Sequence, residues 1–384
     1  MSQRAIGIMS GTSADGIDAV LLECQDVATP HAPVVLDRAY LPYPKALREQ
    51  LVRPLSLSAA EIARLHFDLA ERYAEAASSL SGWQTARCAG LHGQTLVHEV
   101  GPEAEQVPCT LQIGSSAVVA ARLGMPVVGD LRSVDVALGG LGAPLVPFAH
   151  WFFLAGQRRT AVLVNVGGIC NVTLARERLE DVRGSDVGPG MMLSDAWAQA
   201  HSGGQLAFDE DGALSAGGQR VPALLDAVLA HPFVAQAAPK AAGREQFGEG
   251  FARPLFERFA GERANDVAYT LLEATAQCMA QALCRPPFVH AEIDEVVLTG
   301  GGAKHPTLVR LCTELLREGS TNPVVRVAED GPLAPSHHEP AAMALIALRT
   351  LSGLPSSLPA VTGAREAAVL GHVHAPPWTP RVTD

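Results

Sequence analysis

The sequence predicts an α/β protein with two domains. Short apolar runs typical of strands alternate with segments of helical periodicity, and this alternation is characteristic of α/β architectures. The chain has 384 residues, 48% of them hydrophobic and 18% charged, which is enough for two cores at roughly 100–200 residues per domain. The predicted strands are Ala5–Met9, Ile17–Leu22, Pro126–Gly129, Ala161–Val166, Glu295–Thr299 and Val324–Val327.

Helices are predicted between these strands from caps and spacing. Ser58 and Glu61 form a capping-box pattern, and apolar side chains at helical spacing follow it, namely Ile62, Leu65, Leu69 and Tyr73. Further helices are expected at Met192–Ala200, at Asp266–Leu283, from Pro306 onward and at Glu339–Leu351. The stretches near Gly139–Pro147 and Gly331–Pro340 are rich in glycine or proline and are expected to be hinges or binding loops.

Composition excludes several classes of partner. The net charge of −11 argues against a nucleic-acid or anionic-membrane partner, because phosphate groups must be neutralised by basic side chains. Seven cysteines without a C-x-x-C spacing indicate neither a disulfide framework nor a zinc site. There is no signal-peptide pattern and no run of about 18 apolar residues. We therefore expect a cytoplasmic protein that acts on small molecules.

The turn between the first two strands, Ser10–Gly16, combines glycine with hydroxyl and carboxylate side chains. Its glycines let backbone amides approach a ligand, and its hydroxyls add donors for phosphate oxygens. The residues concerned are Gly11, Thr12, Ser13 and Gly16. Asp15 or Asp18 could hold a hydrated Mg²⁺. The alternative is an ordinary hairpin turn.

Two polar segments follow apolar runs in the first half of the chain. Leu91–Thr95 contains His92 and Gln94, which could contact a polar ligand. The alternative is a turn with a satisfied histidine. Asp130–Asp135 leaves a predicted strand, and ligands bind at such strand ends in α/β sheets. Arg132 there could pair with a substrate carboxylate through two nitrogens, or form an internal salt bridge with Asp130.

Three segments carry candidate site residues in the second half. Asn165–Thr173 ends a buried strand with two glycines and a polar hairpin that resembles the amino-terminal one. Asp186 precedes a Gly188–Gly190 turn and a helix, where a carboxylate can act as a general base or only cap the helix. Gly300–Ala303 opens toward a helix, so a phosphate or a flat ring can lie against its backbone.

The order of these segments resembles the acetate and sugar kinase/Hsp70/actin (ASKHA) superfamily, in which two related domains clamp a nucleotide. Within it, the sequence closely resembles the anhydro-N-acetylmuramic acid kinase family from about Ile6 to Gly371. The motifs that carry this resemblance are Met9–Asp18, His92–Thr95, Gly139–Pro147, Asp186–Gly190, Gly243–Phe247, Gly300–Ala303, Glu339–Ala342 and Val361–Ala364.

Three residues depart from the family pattern. Leu141 stands where the family usually has Gln, Met191 where it usually has Asn, and Ala14 where Leu or Met is common. Leu141 and Met191 replace side chains that could hydrogen-bond a sugar or a nucleotide.

The resemblance implies a fold and a reaction. The fold would be the two-domain ASKHA form with a nucleotide cleft between the domains, one of residues 1–135 joined by about 350–384 and the other of residues 136–349. The enzyme would use ATP and Mg²⁺ to phosphorylate O6 of 1,6-anhydro-N-acetylmuramic acid while water opens the anhydro ring. The product would be the 6-phosphate of N-acetylmuramic acid, made during cell-wall recycling by a homodimer.

Roles for individual residues follow from the same resemblance. Asp186 would be the base that activates the attacking water. The nucleotide phosphates and the metal would be held by Gly11, Thr12, Ser13, Asp15, Gly16 and Asp18, with Asp15 and Asp18 as metal ligands. The nucleotide site would be completed by Asn165, Gly167, Gly168, Gly300, Gly301, Gly302 and Ala303. Contacts to the sugar and its lactyl carboxylate are expected from Arg132, Asp135, His92 and Glu339, although Glu339 could be a structural carboxylate at a helix start.

Two other classes of function stay open from the sequence. A chaperone-like or actin-like nucleotide switch would share the fold and use conformational change as its output. A catalytically altered paralogue that senses the sugar is the other, because of Leu141 and Met191. Turnover of ATP with and without the anhydro sugar would separate these classes from a kinase.

Overall fold

The computed structural model describes residues 2–11, 14–51, 56–100, 107–154, 159–242, 244–289, 292–318 and 323–377. Thr12, Ser13 and Gly243 of the predicted site segments lie outside the described residues. The chain forms two compact units. Unit 1 comprises Met1–Gly156, Gly331–Leu333 and His337–Asp384, and unit 2 comprises Gln157–Asp330 and Ala334–Ser336.

Strands and helices alternate through both units. The strands are β1 (Gln3–Met9), β2 (Gly16–Cys24), β3 (Val34–Pro42), β4 (Cys88–Leu91), β5 (Gln94–Glu99), β6 (Cys109–Ile113), β7 (Val127–Gly129), β8 (Ala161–Val166), β9 (Ile169–Ala175), β10 (Arg183–Pro189), β11 (Glu295–Thr299), β12 (Val324–Val327) and β13 (His372–His374). The α-helices are α1 (Lys45–Leu51), α2 (Ala59–Ser78), α3 (Ser116–Leu123), α4 (Ser133–Ala137), α5 (Val146–Leu154), α6 (Met192–His201), α7 (Pro222–Leu229), α8 (Pro232–Ala235), α9 (Arg244–Phe247), α10 (Glu249–Arg258), α11 (Ala264–Leu283), α12 (Pro306–Glu318), α13 (His338–Leu351) and α14 (Pro359–Thr362).

Unit 1 contains a six-stranded sheet in the order β13-β7-β4-β1-β2-β3 and a two-stranded sheet of β5 and β6. β1 and β2 form an antiparallel hairpin, whereas β1, β4 and β7 run parallel. The carboxyl ends of these three strands therefore lie at one edge of the sheet. Ser10, His92 and Asp130 follow the three strands at that edge.

Helix α13 packs directly on this sheet because two strands present glycine to it. A Cβ on Gly7 would collide with the carbonyl of Pro340, and one on Gly90 would collide with the carbonyl of Met343. The helix is buried from Pro340 to Arg349. Its first turn carries Glu339, whose negative charge acts on Arg132.

Unit 2 contains a five-stranded sheet in the order β10-β9-β8-β11-β12. β8, β11 and β12 are parallel, and β9 and β10 extend the sheet as antiparallel strands. β8 ends beside β11, with Asn165 paired to Thr299. Since the two strands are parallel, the glycine segments that follow them, Gly167–Gly168 and Gly300–Gly302, leave the sheet at the same edge.

The predicted α/β class is confirmed, and so are several elements. β8, β11 and β12 begin and end at the predicted residues. The Ser58–Glu61 capping box is present at the start of α2. These elements were predictable because a continuous apolar run and a cap are both local signals.

The compact units divide at other residues than the sequence indicated. The expected boundary was residue 135, with a return to the first domain at about 350, whereas unit 1 runs to Gly156 and resumes at His337. Two helices account for the difference. α5 is buried along its whole length and contacts α13, and α13 lies on β1 and β4, so both helices belong to unit 1.

β10 continues where a turn was expected. It runs through Pro189 with a bulge between Asp186 and Gly188, so the predicted Gly188–Gly190 turn is wrong. A Cβ on Gly188 would lie 2.7 Å from the Cβ of Cys278, which packs from α11 onto the strand. The glycine thus serves close packing instead of a turn.

Candidate functional site

Described residues on the two sides of the β1–β2 connection are hydrogen-bonded to each other. The amide of Ala14 donates to the carbonyl of Gly11 (3.1 Å), and Ala14 has a φ of +51° in the left-handed region. Gln94 supports the turn from β5, since its Nε2 donates to the Gly11 carbonyl (3.0 Å). The Oε1 of Gln94 is buried and has no hydrogen-bond partner. The sequence indicated Gln94 as a possible contact to a polar ligand, and in the structure its amide nitrogen supports the hairpin.

Two carboxylates, Asp15 and Asp18, stand at the base of this hairpin. Asp15 is exposed and Asp18 is part-buried. Both charges raise the pKa of Tyr40, after the larger effect of burial, so both lie near the same ring. Both predicted metal ligands therefore lie within electrostatic reach of Tyr40.

These carboxylates fit a magnesium ion. Mg²⁺ is usually bound by one or two carboxylates, together with water and substrate phosphates. Within the described residues, no group of three or more His, Cys, Asp or Glu side chains could hold a metal on its own. Any cation here would depend on ligand oxygens for the rest of its coordination.

A second cluster in unit 1 surrounds Arg132. Its Nε and Nη2 donate to Nε2 of His92 (3.0 and 2.8 Å), and its Nη1 donates to the Gly142 carbonyl (2.7 Å). The predicted alternative of a salt bridge to Asp130 is wrong, because Asp130 instead accepts a hydrogen bond from Ser133 Oγ (2.5 Å). The guanidinium therefore ties the histidine segment to the glycine loop.

His92 is neutral in this arrangement. Arginine cannot accept a hydrogen bond, so Nε2 carries the lone pair and Nδ1 carries the proton, which it donates to the Gly93 carbonyl (2.7 Å). Burial and the Arg132 charge lower the pKa of His92 to about 3. Both ring nitrogens are engaged, so the contact to a sugar predicted for His92 has no free nitrogen to use.

Asp135 is fully buried, which contradicts its predicted contact with the sugar. Its Oδ2 accepts from the Gly142 amide (2.8 Å), and its Oδ1 accepts from Thr362 Oγ1 (2.8 Å). Both carboxylate oxygens hold protein groups because α4 points this side chain inward under the loop. Asp135 therefore holds the Gly139–Pro147 loop through the Gly142 amide.

Glu339 lies close to this cluster. Burial raises its pKa, the Arg132 charge lowers it and the Asp15 charge raises it. Burial also lowers the pKa of Arg132 to about 10, with Glu339 and Asp135 acting in the opposite direction. Glu339 is therefore within electrostatic reach of Asp15 in the β1–β2 hairpin and of Arg132, all within unit 1.

In unit 2, the Gly167–Gly168 hairpin is pinned to the start of α6. The carbonyl of Gly168 accepts from the amides of Gly190 and Met192 (2.9 and 3.2 Å), and the carbonyl of Gly167 accepts from that of Met191 (2.8 Å). Met191, which departs from the family pattern, is buried in the unit 2 core. Its sulfur lies against Gly302.

The glycine segment after β11 needs glycine at two positions for different reasons. Gly300 has a φ of +81°, and a Cβ there would collide with Oδ1 of Asn165. A Cβ on Gly302 would lie 2.6 Å from Val166. Gly301 is exposed, and a Cβ at this position would have no other atom within 4 Å, so open space lies beside it. Ala303 is buried below.

Asp186 lies in the edge strand β10, and within the part of the chain that the structure describes it does not cap α6. The N-cap of α6 is Met191, which makes no side-chain capping bond, so the predicted capping alternative is wrong. Asp186 Oδ2 accepts from the amide of Ala242 (2.7 Å). Burial raises the pKa of Asp186 to about 6, while the Ala242 amide and the Lys240 charge lower it.

A cavity of about 330 Å³ opens beside this carboxylate within unit 2. Its lining includes Asp186, Ser185, Lys240, Cys278 and Arg285. The base candidate is therefore part-buried and still reachable by small molecules. The sequence did not indicate this cavity, since its walls come from segments far apart along the chain.

Sequence analysis also missed a buried pair formed by Asp209 and His305. His305 follows the Gly300–Lys304 segment along the chain. His305 Nε2 contacts Asp209 Oδ2 (3.1 Å), and Asp209 also accepts from the amides of Leu214 (2.6 Å) and Ser215 (3.1 Å). Burial raises the pKa of nearby Asp195 to about 7, with His305 lowering it. A histidine directly after Gly300–Lys304 was the available signal.

Glycine segments at strand ends and a carboxylate whose pKa approaches neutrality are the parts expected of an enzyme that transfers a phosphoryl group by positioning and base catalysis. The class is that of ATP-dependent kinases. A family model described as Anhydro-N-acetylmuramic acid kinase matches residues 3–376. The chain belongs to this family and is an ATP-dependent kinase of the anhydromuramic acid type.

Among solved structures of other proteins, three show low sequence identity to this chain. An activator of the 2-hydroxyisocaproyl-CoA dehydratase from Clostridium difficile, with bound ADPNP, is 12% identical with a TM-score of 0.44, over 91% of this chain and 96% of that one. A ROK family glucokinase from Streptomyces griseus, with glucose and AMPPNP, is 12% identical with a TM-score of 0.41, over 90% and 98%. A ROK hexokinase from Thermus thermophilus is 16% identical with a TM-score of 0.39, over 91% and 99%. Family membership rests on the match over residues 3–376.

Among the residues that the structure describes, none of the helices is both long and apolar enough to cross a membrane.

Proposed function

We propose that this kinase transfers the γ-phosphoryl group of ATP to O6 of 1,6-anhydro-N-acetylmuramic acid while water opens the anhydro bridge at C1. The products are N-acetylmuramic acid 6-phosphate and ADP, which suits a step in cell-wall recycling. The observation that carries the proposal is Asp186, a part-buried carboxylate with a pKa of about 6 in a chain of this family.

The acceptor explains why the base must act on water. O6 is bound to C1 as an ether and carries no proton, so a base beside O6 would have nothing to remove. Water attacks C1, the C1–O6 bond breaks, and O6 forms a bond to the phosphoryl group as ADP leaves. The proton lost by the water goes to the base.

Asp186 meets the requirements for that base. A general base works best when its pKa lies near the operating pH, and burial brings the pKa of this carboxyl to about 6. Oδ2 is held by the Ala242 amide, and no described residue donates a hydrogen bond to Oδ1. We assign Oδ1 as the atom that accepts the proton.

We propose that backbone groups of residues from both units bind the nucleotide. Unit 1 contributes the hairpin with Gly11, Thr12, Ser13, Asp15, Gly16 and Asp18, and unit 2 contributes Asn165, Gly167, Gly168, Gly300, Gly301, Gly302 and Ala303. Mg²⁺ held by Asp15 and Asp18 would neutralise phosphate charge when bound. The open space beside Gly301 supports a ligand there.

For the sugar, we propose Glu339 and Arg132 as nearest neighbours and His92 and Asp135 as supports. Arg132 is part-buried, with three of its nitrogens committed to His92 and Gly142. Asp135 has no exposed surface. Arg132 therefore acts on the sugar by holding the loop and by its charge.

The sugar-sensor alternative has no structural observation in its favour. Met191 packs in the core against Gly302, and the Leu141 amide donates to the Thr362 carbonyl (2.8 Å). The experiment that tests the proposed function is ADP release with and without the anhydro sugar. Release that depends on the sugar supports the kinase, whereas sugar binding without ADP release would contradict it.

The pH dependence of turnover should show the Asp186 ionisation. The base works only when deprotonated, so kcat/KM is expected to fall as the pH drops through about 6. Rates measured from pH 5 to pH 8.5 with saturating ATP would locate this limb. A flat profile down to pH 5 would contradict base catalysis by this carboxylate.

Gly301→Val should weaken ATP binding by roughly 10-fold or more, which is about 1.4 kcal/mol. The side chain would fill space that the nucleotide needs, and the fold should tolerate it, because nothing lies within 4 Å and φ is not in the left-handed region. Gly261→Val is the matched control, since Gly261 is also exposed with open space around its built Cβ. Calorimetry giving equal ATP affinity for both folded variants would remove this loop from the nucleotide site.

A further inference from the structure

A short segment after α8 lies along the free edge of β10 and holds Asp186 in place. The Asp186 amide donates to the Lys240 carbonyl (3.0 Å), and the Lys240 amide donates to Ser185 Oγ (3.1 Å). Two residues further on, the Ala242 amide donates to Asp186 Oδ2 (2.7 Å). β10 is the edge strand of its sheet, so this segment takes the place of a neighbouring strand.

This segment has no regular secondary structure of its own, and the Lys240 side chain anchors it. Lys240 Nζ donates to the carbonyls of Phe233 (2.6 Å) and Val234 (3.1 Å), which belong to helix α8. The ammonium also lies 4.4 Å from the centre of the Phe233 ring. Favourable contact between a cation and an aromatic face adds to these hydrogen bonds.

We propose that Lys240 is a positioning residue for the base: it fixes the 240–242 segment so that the Ala242 amide holds Oδ2 of Asp186 and leaves Oδ1 for the attacking water. The inference rests on the proposed function. Holding one oxygen of a carboxylate fixes the direction of the other, and an error of about 1 Å in such a position can cost 10²-fold in rate.

The charges around the carboxylate agree with this geometry. Lys240 lowers the pKa of Asp186, against the larger opposing effect of burial. Cys278 on α11 and Cys170 on β9 face the same region, and burial raises the pKa of both thiols, so they are neutral at working pH. Arg285, which follows α11, lines the same cavity and acts on Lys240. Lys240 is the charged side chain that acts on Asp186 directly.

The experiment compares Lys240→Met with Lys240→Arg and with the control Lys45→Met. Lys45 is an exposed lysine of unit 1 with 91% of its side chain accessible. Lys240→Met is expected to lower kcat by roughly 10-fold to 100-fold, with KM for ATP and for the sugar within about twofold. It should also move the acid limb of the kcat profile to higher pH, because the Asp186 pKa rises when a cation and a fixed amide donor are lost. Lys240→Arg should return the acid limb most of the way to its pH in the parent enzyme. Lys45→Met should match the parent enzyme in kcat and in its pH profile.

The inference is overturned if the acid limb of Lys240→Met stays at the pH of the parent enzyme. This holds if kcat is unchanged, and it also holds if kcat and the melting temperature fall together. If Lys240→Met does not fold, Ala242→Pro removes the amide donor to Asp186 Oδ2 and keeps the lysine charge, and it must move the acid limb in the same direction. Failure of the proposed function is seen separately: an active Asp186→Asn enzyme overturns the base itself. An inactive Asp186→Asn enzyme beside an unshifted Lys240→Met limb overturns only the role of Lys240.

Discussion

Replacing Asp186 by Asn should lower turnover by on the order of 10²–10⁴-fold, the usual cost of removing a general base. Asn keeps the size of the side chain, and its Oδ1 can still accept the Ala242 amide, but it cannot take a proton from water. KM for ATP should change little. The variant should be no less stable than the parent at pH 8, because burial raises the pKa of Asp186 and so disfavours its charged form in the folded state.

A matched control and an isotope experiment complete this test. Asp226→Asn makes the same chemical change at an exposed residue of α7 and should leave turnover unaltered. With the parent enzyme in ¹⁸O-labelled water, the label should enter at C1 of the sugar and be absent from the phosphate. Label in the phosphate, or near-normal turnover of Asp186→Asn, would rule out activation of water by this carboxylate.

The elements that sequence analysis predicted are those with local signals. β8 reads as a continuous apolar run and is buried at every position, so its bounds could be predicted. β10 could not, because Gly184, Gly188 and Pro189 are residue types that strands usually avoid. Its extension depends on contacts with α11 and with the 240–242 segment, which are tertiary.

The same distinction applies to the site. The position of Asp186 was predictable from its motif, but its hydrogen-bond donor, Ala242, lies 56 residues further along the chain. For Arg132, the residue type suggested a substrate contact, whereas the fold commits its nitrogens to His92, 40 residues earlier. A pattern of residue types identifies groups suited to a reaction. Which of them face a ligand and which support the others depends on the packing.

Arg132→Met should be the most destabilising substitution among the site residues, lowering the free energy of unfolding by roughly 2–5 kcal/mol, because each buried polar group left without its partner costs about 1–3 kcal/mol. It leaves His92 Nε2 and the Gly142 carbonyl without donors, and it leaves Glu339 without the charge that lowers its pKa. Denaturant unfolding would measure the loss. Arg122→Met is the control, because Arg122 forms its ion pair with Glu71 on the surface, and little change is expected there.

Arg132→Lys then separates support from direct recognition of the lactyl carboxylate. Lysine keeps the charge but cannot hold His92 and Gly142 through a planar fork, so kcat/KM for the sugar should fall by roughly 10-fold or more. Because the Nε–Nη2 edge of Arg132 already binds His92, the same loss is expected with 1,6-anhydro-N-acetylglucosamine, which has no lactyl group. A loss confined to the lactyl-bearing substrate would instead mean that Arg132 binds the carboxylate itself and gives up His92 to do so.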